Sequence, residues 1–243
     1  MKILVLGGTH GNEPLGLRLV AELKKRPIAD IDAIVANPRA AARNTRGTQA
    51  DLNRSFPGNS KSDVYEQRRA ARLLQRCGRY DLVLDFHNTL CDNNDCVFIG
   101  QGANEQLLKV AGLLDLTRVI VADYDCINKY APNCISLEIS VSSHLMSLAF
   151  WRQALLRLAK TDELLPAQKL NFYRYALTLT NQQRDEFGLT AEALLPFRPF
   201  TQTLAAKLGV PTPAYPIFIG KNYTEGVFAG VLTKLTPDIP AAP

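Results

Sequence analysis

The chain opens on MKILVLGGTHGNE, and no other stretch restricts the fold as much. Ile3 to Leu6 form an apolar run that stops at Gly7-Gly8. A short apolar run ended by glycine reads as a buried strand, and in an α/β sheet the carboxyl ends of strands are where ligand sites form. At this end stand His10 and Glu13, in a glycine-rich turn. Imidazole nitrogen and carboxylate oxygen are both good Zn²⁺ donors, and a short turn can aim both at one point. A catalytic zinc takes a third protein ligand and keeps one position open. The strongest third ligand is His87, which follows the apolar run Val83-Leu84-Asp85-Phe86. Of the chain's three histidines, two therefore end strand-like runs. The expectation is one Zn²⁺ per chain, held by His10, Glu13 and His87.

The totals narrow the class. A chain of 243 residues suits one large α/β domain, alone or with a small appendix. Its net charge of +5 comes without a basic tail or Lys/Arg block, which argues against a nucleic-acid partner. No apolar run approaches the length of a membrane span, and the N-terminus enters a strand without the charged flank of a secretory signal. The cysteines at 77, 91, 96, 126 and 134 are odd in number and scattered. That pattern predicts reduced thiols and a cytoplasmic protein, with Cys91 and Cys96 as the one weak pairing.

Helical spacing of apolar residues predicts helices over 14–25, 62–77 (with Ser62 as N-cap), 104–114 and 142–160. Strands are expected at 31–36, 80–86, 96–99, 119–122 and 135–139. Residues 39–57 lack sustained periodicity and read as a long loop, a kind of segment that is usually functional. Composition shifts near Leu165-Pro166. A larger first domain over 1–165 and a small β-rich one over 166–243 follow, the latter with strands near 172–180, 217–219 and 227–235.

Beyond the metal, amide hydrolysis needs a base for water, a cation for the developing oxyanion, and groups that hold the substrate. Glu138 is an acid inside the apolar run Ile135-Ser136-Leu137-Glu138-Ile139, where an idle carboxylate would be costly. Arg46, Asn53 and Arg54 lie in the long loop, and guanidinium groups grip carboxylates in bidentate fashion. Each has a plainer reading. Glu13 could be a carboxylate offsetting the helix dipole, Glu138 could face water on an edge strand, and both arginines could be surface charges. His144 reads as structural.

Together the motifs G-G-T-H-G-N-E-P at 7–14, N-P-R at 37–39, N-T-R at 44–46, D-L-N-R at 51–54, Y-E-Q-R-R-A at 65–70 and D-F-H-N-T at 85–89 carry a resemblance. The chain resembles the aspartoacylase/succinylglutamate desuccinylase family of the zinc-carboxypeptidase-like superfamily, on its aspartoacylase side. Weaker likeness continues through S-L-E-I-S at 136–140 and N-F-Y-R-Y at 171–175 to P-I-F-I-G-K-N-Y-T-E at 216–225. The resemblance implies a mixed sheet flanked by helices, with a C-terminal β-rich domain that narrows the site entrance. It implies His10, Glu13 and His87 as zinc ligands, Glu138 as general base and then proton donor, and Arg46 as oxyanion partner. Asn53, Arg54 and Tyr223 would hold the carboxylate of the amino-acid part of the substrate.

One departure concerns the substrate. On the aspartoacylase side of the family, an arginine about ten residues before the catalytic glutamate holds the side-chain carboxylate of the substrate, whereas this chain reads Asp123-Tyr124-Asp125-Cys126-Ile127-Asn128-Lys129. Lys129 is the available substitute cation. The reading is a zinc-dependent amidohydrolase of N-acyl amino acids, N-acetylaspartate first, with succinylated or aromatic N-acyl amino acids next. A non-catalytic zinc protein that holds an acidic ligand is the rival from another class. The implied partner is a small-molecule substrate, with neither nucleic acid nor membrane, and homo-oligomerisation stays open.

Overall fold

The structure, a computed structural model, describes residues 1–103, 105–114, 116–160, 170–220 and 226–235. In chain order the first half gives β1 (Ile3–Gly7), α1 (Pro14–Lys25), β2 (Ile31–Val35), α2 (Pro38–Arg43), α3 (Tyr65–Cys77) and β3 (Leu82–Thr89). The middle supplies β4 (Cys96–Gly100), α4 (Glu105–Leu113), β5 (Arg118–Ala122), α5 (Ile127–Tyr130), β6 (Cys134–Ser140) and α6 (Leu148–Lys160). The last part adds β7 (Asn171–Thr180), α7 (Asn181–Glu186), α8 (Gln202–Lys207), β8 (Ala214–Ile217) and β9 (Val227–Lys234). These strands form one nine-stranded mixed sheet in the order β2-β1-β3-β6-β4-β5-β7-β9-β8.

The parallel block β2-β1-β3-β6 explains the uninterrupted apolar runs. Every residue of β1 and β3 is buried, as expected for strands covered on both faces. On one face β1 and β3 pack with α1, α4 and α6 around Leu19, Phe86 and Trp151. On the other, Leu4, Leu6 and Val83 meet α3 through Ala70, Leu73 and Cys77. The parallel register brings the carboxyl ends of β1, β3 and β6 side by side, with Gly7 opposite Phe86 and His87 opposite Glu138.

Contact between α1 and β1 depends on two missing side chains. A Cβ at Gly7 would lie 2.2 Å from the Gly16 carbonyl oxygen, and one at Gly16 would lie 2.7 Å from the Gly7 Cα. Both obstacles are backbone, so a methyl group would have to lever the helix off the sheet. Gly7→Ala is expected to cost about 3 kcal/mol, the upper end of overpacking, and a urea melt reads it. An unchanged midpoint would mean that α1 can slide.

The expected long loop is more structured than its pattern suggests. It holds α2, capped by the Asn37 side chain on the Ala40 N–H, and a 3₁₀ turn over Leu52–Arg54 capped by Asp51. Helix α3 starts at Tyr65, because Ser62 instead accepts the N–H of Val64 in a turn ahead of it. The helix expected from 142 breaks into a 3₁₀ turn at His144–Met146, capped by Ser143, before α6 begins. His144 is exposed there, edge-on to Phe150. After residue 170 the strands β7, β9 and β8 join the same sheet, and α7 and α8 lie among them. All five cysteines are free and buried. No helix among the described residues is long and apolar enough to cross a membrane.

Candidate metal centre

Behind β1 the chain turns through Gly8, at φ +70°, into Thr9-His10-Gly11-Asn12-Glu13. The turn is pressed against α2, since a Cβ at Gly11 would lie 2.1 Å from the Ala40 carbonyl carbon. Glu13 sits at the N-cap of α1 without a capping hydrogen bond from its side chain. Instead Asn88 Oδ1 accepts the Leu15 N–H at 2.9 Å, which leaves the Glu13 carboxylate to turn inward. Its Oε1 lies 2.7 Å from His10 Nδ1 and its Oε2 3.0 Å from His87 Nδ1. The dipole-offsetting reading of Glu13 therefore gives way to a contact with both histidines.

The far nitrogens are held too. His10 Nε2 faces Asp51 Oδ1 at 3.1 Å, and His87 Nε2 faces Asp85 Oδ2 at 2.8 Å. Asp85 is fully buried and also accepts the Thr9 hydroxyl at 2.7 Å. A carboxylate on the outer nitrogen keeps the proton there and turns the other lone pair inward, the usual support for a metal-binding imidazole. Two such lone pairs and a carboxylate then converge, with the two Nδ1 atoms 3.2 Å apart and one donor atom from each residue within 4.8 Å of the others. Facing lone pairs repel unless protons or a cation lie between them.

Charge tells the same story. Burial pushes Glu13 up, but His10 and His87 outweigh it and hold the carboxyl at about 2. Burial pulls His87 down, yet Asp85 and Glu13 lift it well above the usual imidazole range, and His10 is raised against burial by Glu13 and Asp51. The buried cluster demands positive charge. Two imidazoles and one carboxylate fit a divalent ion such as Zn²⁺ with a coordination position to spare.

Glu138 lies on β6 opposite His87. β6 runs between β3 and β4, which excludes the edge-strand reading. Burial, helped by the charge of Glu13, pushes Glu138 up to about 7 against the pull of His87, His10 and Arg46. All four residues line a cavity of about 600 Å³, together with Arg46, Asn53 and Arg54. Arg46 places Nε and Nη2 each 2.9 Å from Asp51 Oδ2, so a single aspartate ties His10 to Arg46. Asn53 Oδ1 is buried without a hydrogen-bond partner among the described residues. The Arg54 guanidinium stacks 4.6 Å above the Tyr124 ring.

Two expected contacts do not join them. Lys129 is not among the residues lining the cavity, and its ammonium pairs with Asp125 at 2.8 Å. From the same helix Asn128 reaches the cavity, but its amide is occupied by Phe98 O, Cys134 O and the Ser136 hydroxyl. Tyr223 lies outside the described residues.

The catalytic-domain model of succinylglutamate desuccinylase/aspartoacylase matches residues 1–154. The chain belongs to this family. Relatives include an N-acyl-aromatic-L-amino acid amidohydrolase (carboxylate-forming) of Xenopus laevis, 34% identical over 120 residues, or 42% of this chain and 39% of that protein. Mouse aspartoacylase is 33% identical over 127 residues, 45% of this chain and 41% of its own length. The chain thus aligns with about two fifths of each. In fold it is similar to succinylglutamate desuccinylase from Chromobacterium violaceum, with a TM-score of 0.73 and 18% identity over 98% of this chain and 85% of that one. Murine aminoacylase 3 gives 0.69 and 22%, covering 97% and 95%.

The family match takes in every cavity residue named so far. Beyond residue 154 the cavity is lined by Tyr175, Ala176, Leu177 and Thr178 on β7, Phe218 after β8, and Val227 on β9. Sequence reading overlooked Asp51 and Asp85, although both stand inside D-L-N-R and D-F-H-N-T. The available signal was an acid at fixed spacing from a candidate ligand, with Asp85 two residues before His87 on the same face of the strand.

Proposed function

We propose that this chain is a zinc-dependent amidohydrolase that removes the acyl group from N-acyl amino acids. The observation that carries the reading is the convergence, in one cavity, of a three-ligand cluster, a carboxyl outside that cluster, and two arginines. His10, Glu13 and His87 would hold the metal, which when bound would polarise an acyl carbonyl and acidify water. Glu138 takes the proton of the attacking water and returns it to the leaving amine. Arg46, fixed by Asp51, meets the charge that develops on the carbonyl oxygen. Arg54 and Asn53 receive the α-carboxylate. The portion after residue 166 narrows the entrance through Tyr175, Leu177 and Phe218.

For the amino-acid side chain, N-acetylaspartate is the first expectation from sequence, but the cavity favours another choice. Apart from Arg46 and Arg54, no lysine or arginine among the described residues lines it, whereas Phe98, Tyr124, Tyr175 and Phe218 do. Aromatic walls without a second cation suit a neutral or aromatic side chain better than a second carboxylate. Hydrolysis of N-acetyltyrosine, N-acetylaspartate and N-acetylglutamate by metal-stripped and zinc-restored protein tests this. N-acetyltyrosine should lead, only with zinc, and Lys129→Ala should leave every rate within about twofold, as for a surface ion pair. A large N-acetylaspartate preference that disappears in Lys129→Ala would restore the lysine to the pocket.

Arg54→Ala should lower kcat/KM for a substrate with a free α-carboxylate by about 1–3 kcal/mol, roughly 5- to 150-fold, the weight of a charge-assisted pair. The methyl ester of the same substrate should lose much less. Equal losses on both would remove Arg54 from the carboxylate.

A further inference from the structure

Glu66 is the one residue of the Y-E-Q-R-R-A stretch that is wholly buried yet ionisable, and it is not among the residues lining the cavity. It stands in the first turn of α3. Its Oε1 accepts the Thr48 N–H at 2.9 Å, the Thr48 hydroxyl at 2.6 Å and the Asn37 amide at 3.3 Å. Its Oε2 accepts the N–H groups of Gln49 at 3.2 Å and Ala50 at 3.3 Å. Five donors on two oxygens leave little room for another partner. The carboxylate therefore has no free lone pair with which to serve as an acid or base.

What those donors belong to gives the residue its meaning. Thr48, Gln49 and Ala50 are three consecutive residues, and the next is Asp51, which holds both His10 and Arg46. Asn53 and Arg54 follow directly on the 3₁₀ turn. The loop answers in kind, as Gln49 Oε1 accepts the Tyr65 N–H at 2.6 Å at the start of α3. Through Asn37 the same carboxylate reaches the turn after β1, because the Asn37 N–H donates to the Gly8 carbonyl. We propose that Glu66 is a positioning residue for this site: a buried anion that clamps the 48–50 backbone and so sets Arg46, Asp51, Asn53 and Arg54 against the metal ligands. The inference rests on the hydrolase reading for its consequence and on the hydrogen bonds alone for its mechanism.

Charge matters as well as shape. Burial pushes the Glu66 carboxyl up, but the hydroxyl and backbone donors outweigh it and hold it below the usual range. A glutamine would turn an NH₂ group toward N–H donors on one side or the other, so the clamp cannot survive as an amide.

The test uses the full zinc-restored chain with Glu66→Gln and, as a milder change, Thr48→Val. Hydrogen exchange should accelerate in residues 46–54 by about tenfold or more in Glu66→Gln, the weight of a hydrogen bond to a charged group, while β3 and β6 keep their protection. Metal content at saturating zinc should not change. For a substrate with a free α-carboxylate, kcat/KM should fall on the order of tenfold, more than for its methyl ester. Thr48→Val should move both readouts the same way by less, and it decides the matter if Glu66→Gln does not fold. Wild-type exchange in 46–54 in a folded Glu66→Gln variant would overturn the proposal. So would faster exchange spread evenly over the sheet with equal losses on acid and ester, the signature of general destabilisation. If the wild-type chain hydrolyses no N-acyl amino acid, the hydrolase reading alone fails, and the exchange pattern still judges the clamp.

Discussion

Glu138→Gln is expected to lower kcat by about 10²–10⁴-fold, the range for a lost general acid–base, while zinc content stays at the wild-type level. The two halves of that expectation have separate grounds. Zinc content holds because Glu138 is not part of the His10/Glu13/His87 cluster. It stands one strand away on β6, in register with His87, and contributes to the cavity wall. The rate falls because an amide of the same shape has no proton affinity near neutrality. Burial, the first cause of its raised pKa, brings the carboxyl to about 7. A base of that strength can take a proton from water and still give it up to the departing amine at neutral pH. A structural Glu138 would behave differently: glutamine would leave kcat near normal. In that case the cavity would be a metal-holding site that binds an acidic ligand without turning it over.

The parts of this arrangement that sequence reveals are those encoded by local pattern. His10, Glu13 and His87 are legible because strands buried on both faces read as apolar runs, and whatever follows such a run stands at the sheet's carboxyl edge. Helix α1 is legible to the residue, as apolar spacing and Pro14 at its first position agree. Glu138 stands out as an acid in an apolar strand. Pairing between strands is not encoded that way. Nothing in Cys96-Val97-Phe98-Ile99 announces that β4 runs antiparallel to β6 and lies between it and β5. Short helices escape for a related reason, since four to six residues hold too few turns to show a period. Local chemistry still marks some of them. Thr180 and Gln183 form a capping box at the start of α7, and Asp125 and Lys129 are spaced for a pair within one helical turn. In the structure that second pair forms, and Lys129 is not among the residues lining the cavity.

The chain purified without chelator should carry about one zinc, and the double variant His10→Ala, His87→Ala should carry none. Residues around the cluster hold its side chains in place. Both rings are held on their outer nitrogens by Asp51 and Asp85, and Glu13 is freed from capping α1 by Asn88. Glu13 raises both histidines and they lower its carboxyl, so the cluster favours positive charge between its members. A Zn²⁺ held there would compete with protons for the imidazoles, so binding should release protons and weaken as the pH falls. Asp85→Asn, which changes the carboxylate behind His87 but none of the three donors, should weaken zinc binding by about 10- to 100-fold without abolishing it. An ion held only by the folded cluster would stabilise the fold, so stripping zinc should also lower the melting temperature, and restoring it should recover the loss. Alanine at both histidines removes two of the three donors and leaves Glu13 facing a cavity that no single carboxylate can make into a tight site. Full zinc occupancy in that variant would show that the ion sits elsewhere, and every role assigned to Glu138, Arg46 and Arg54 would then need a different centre.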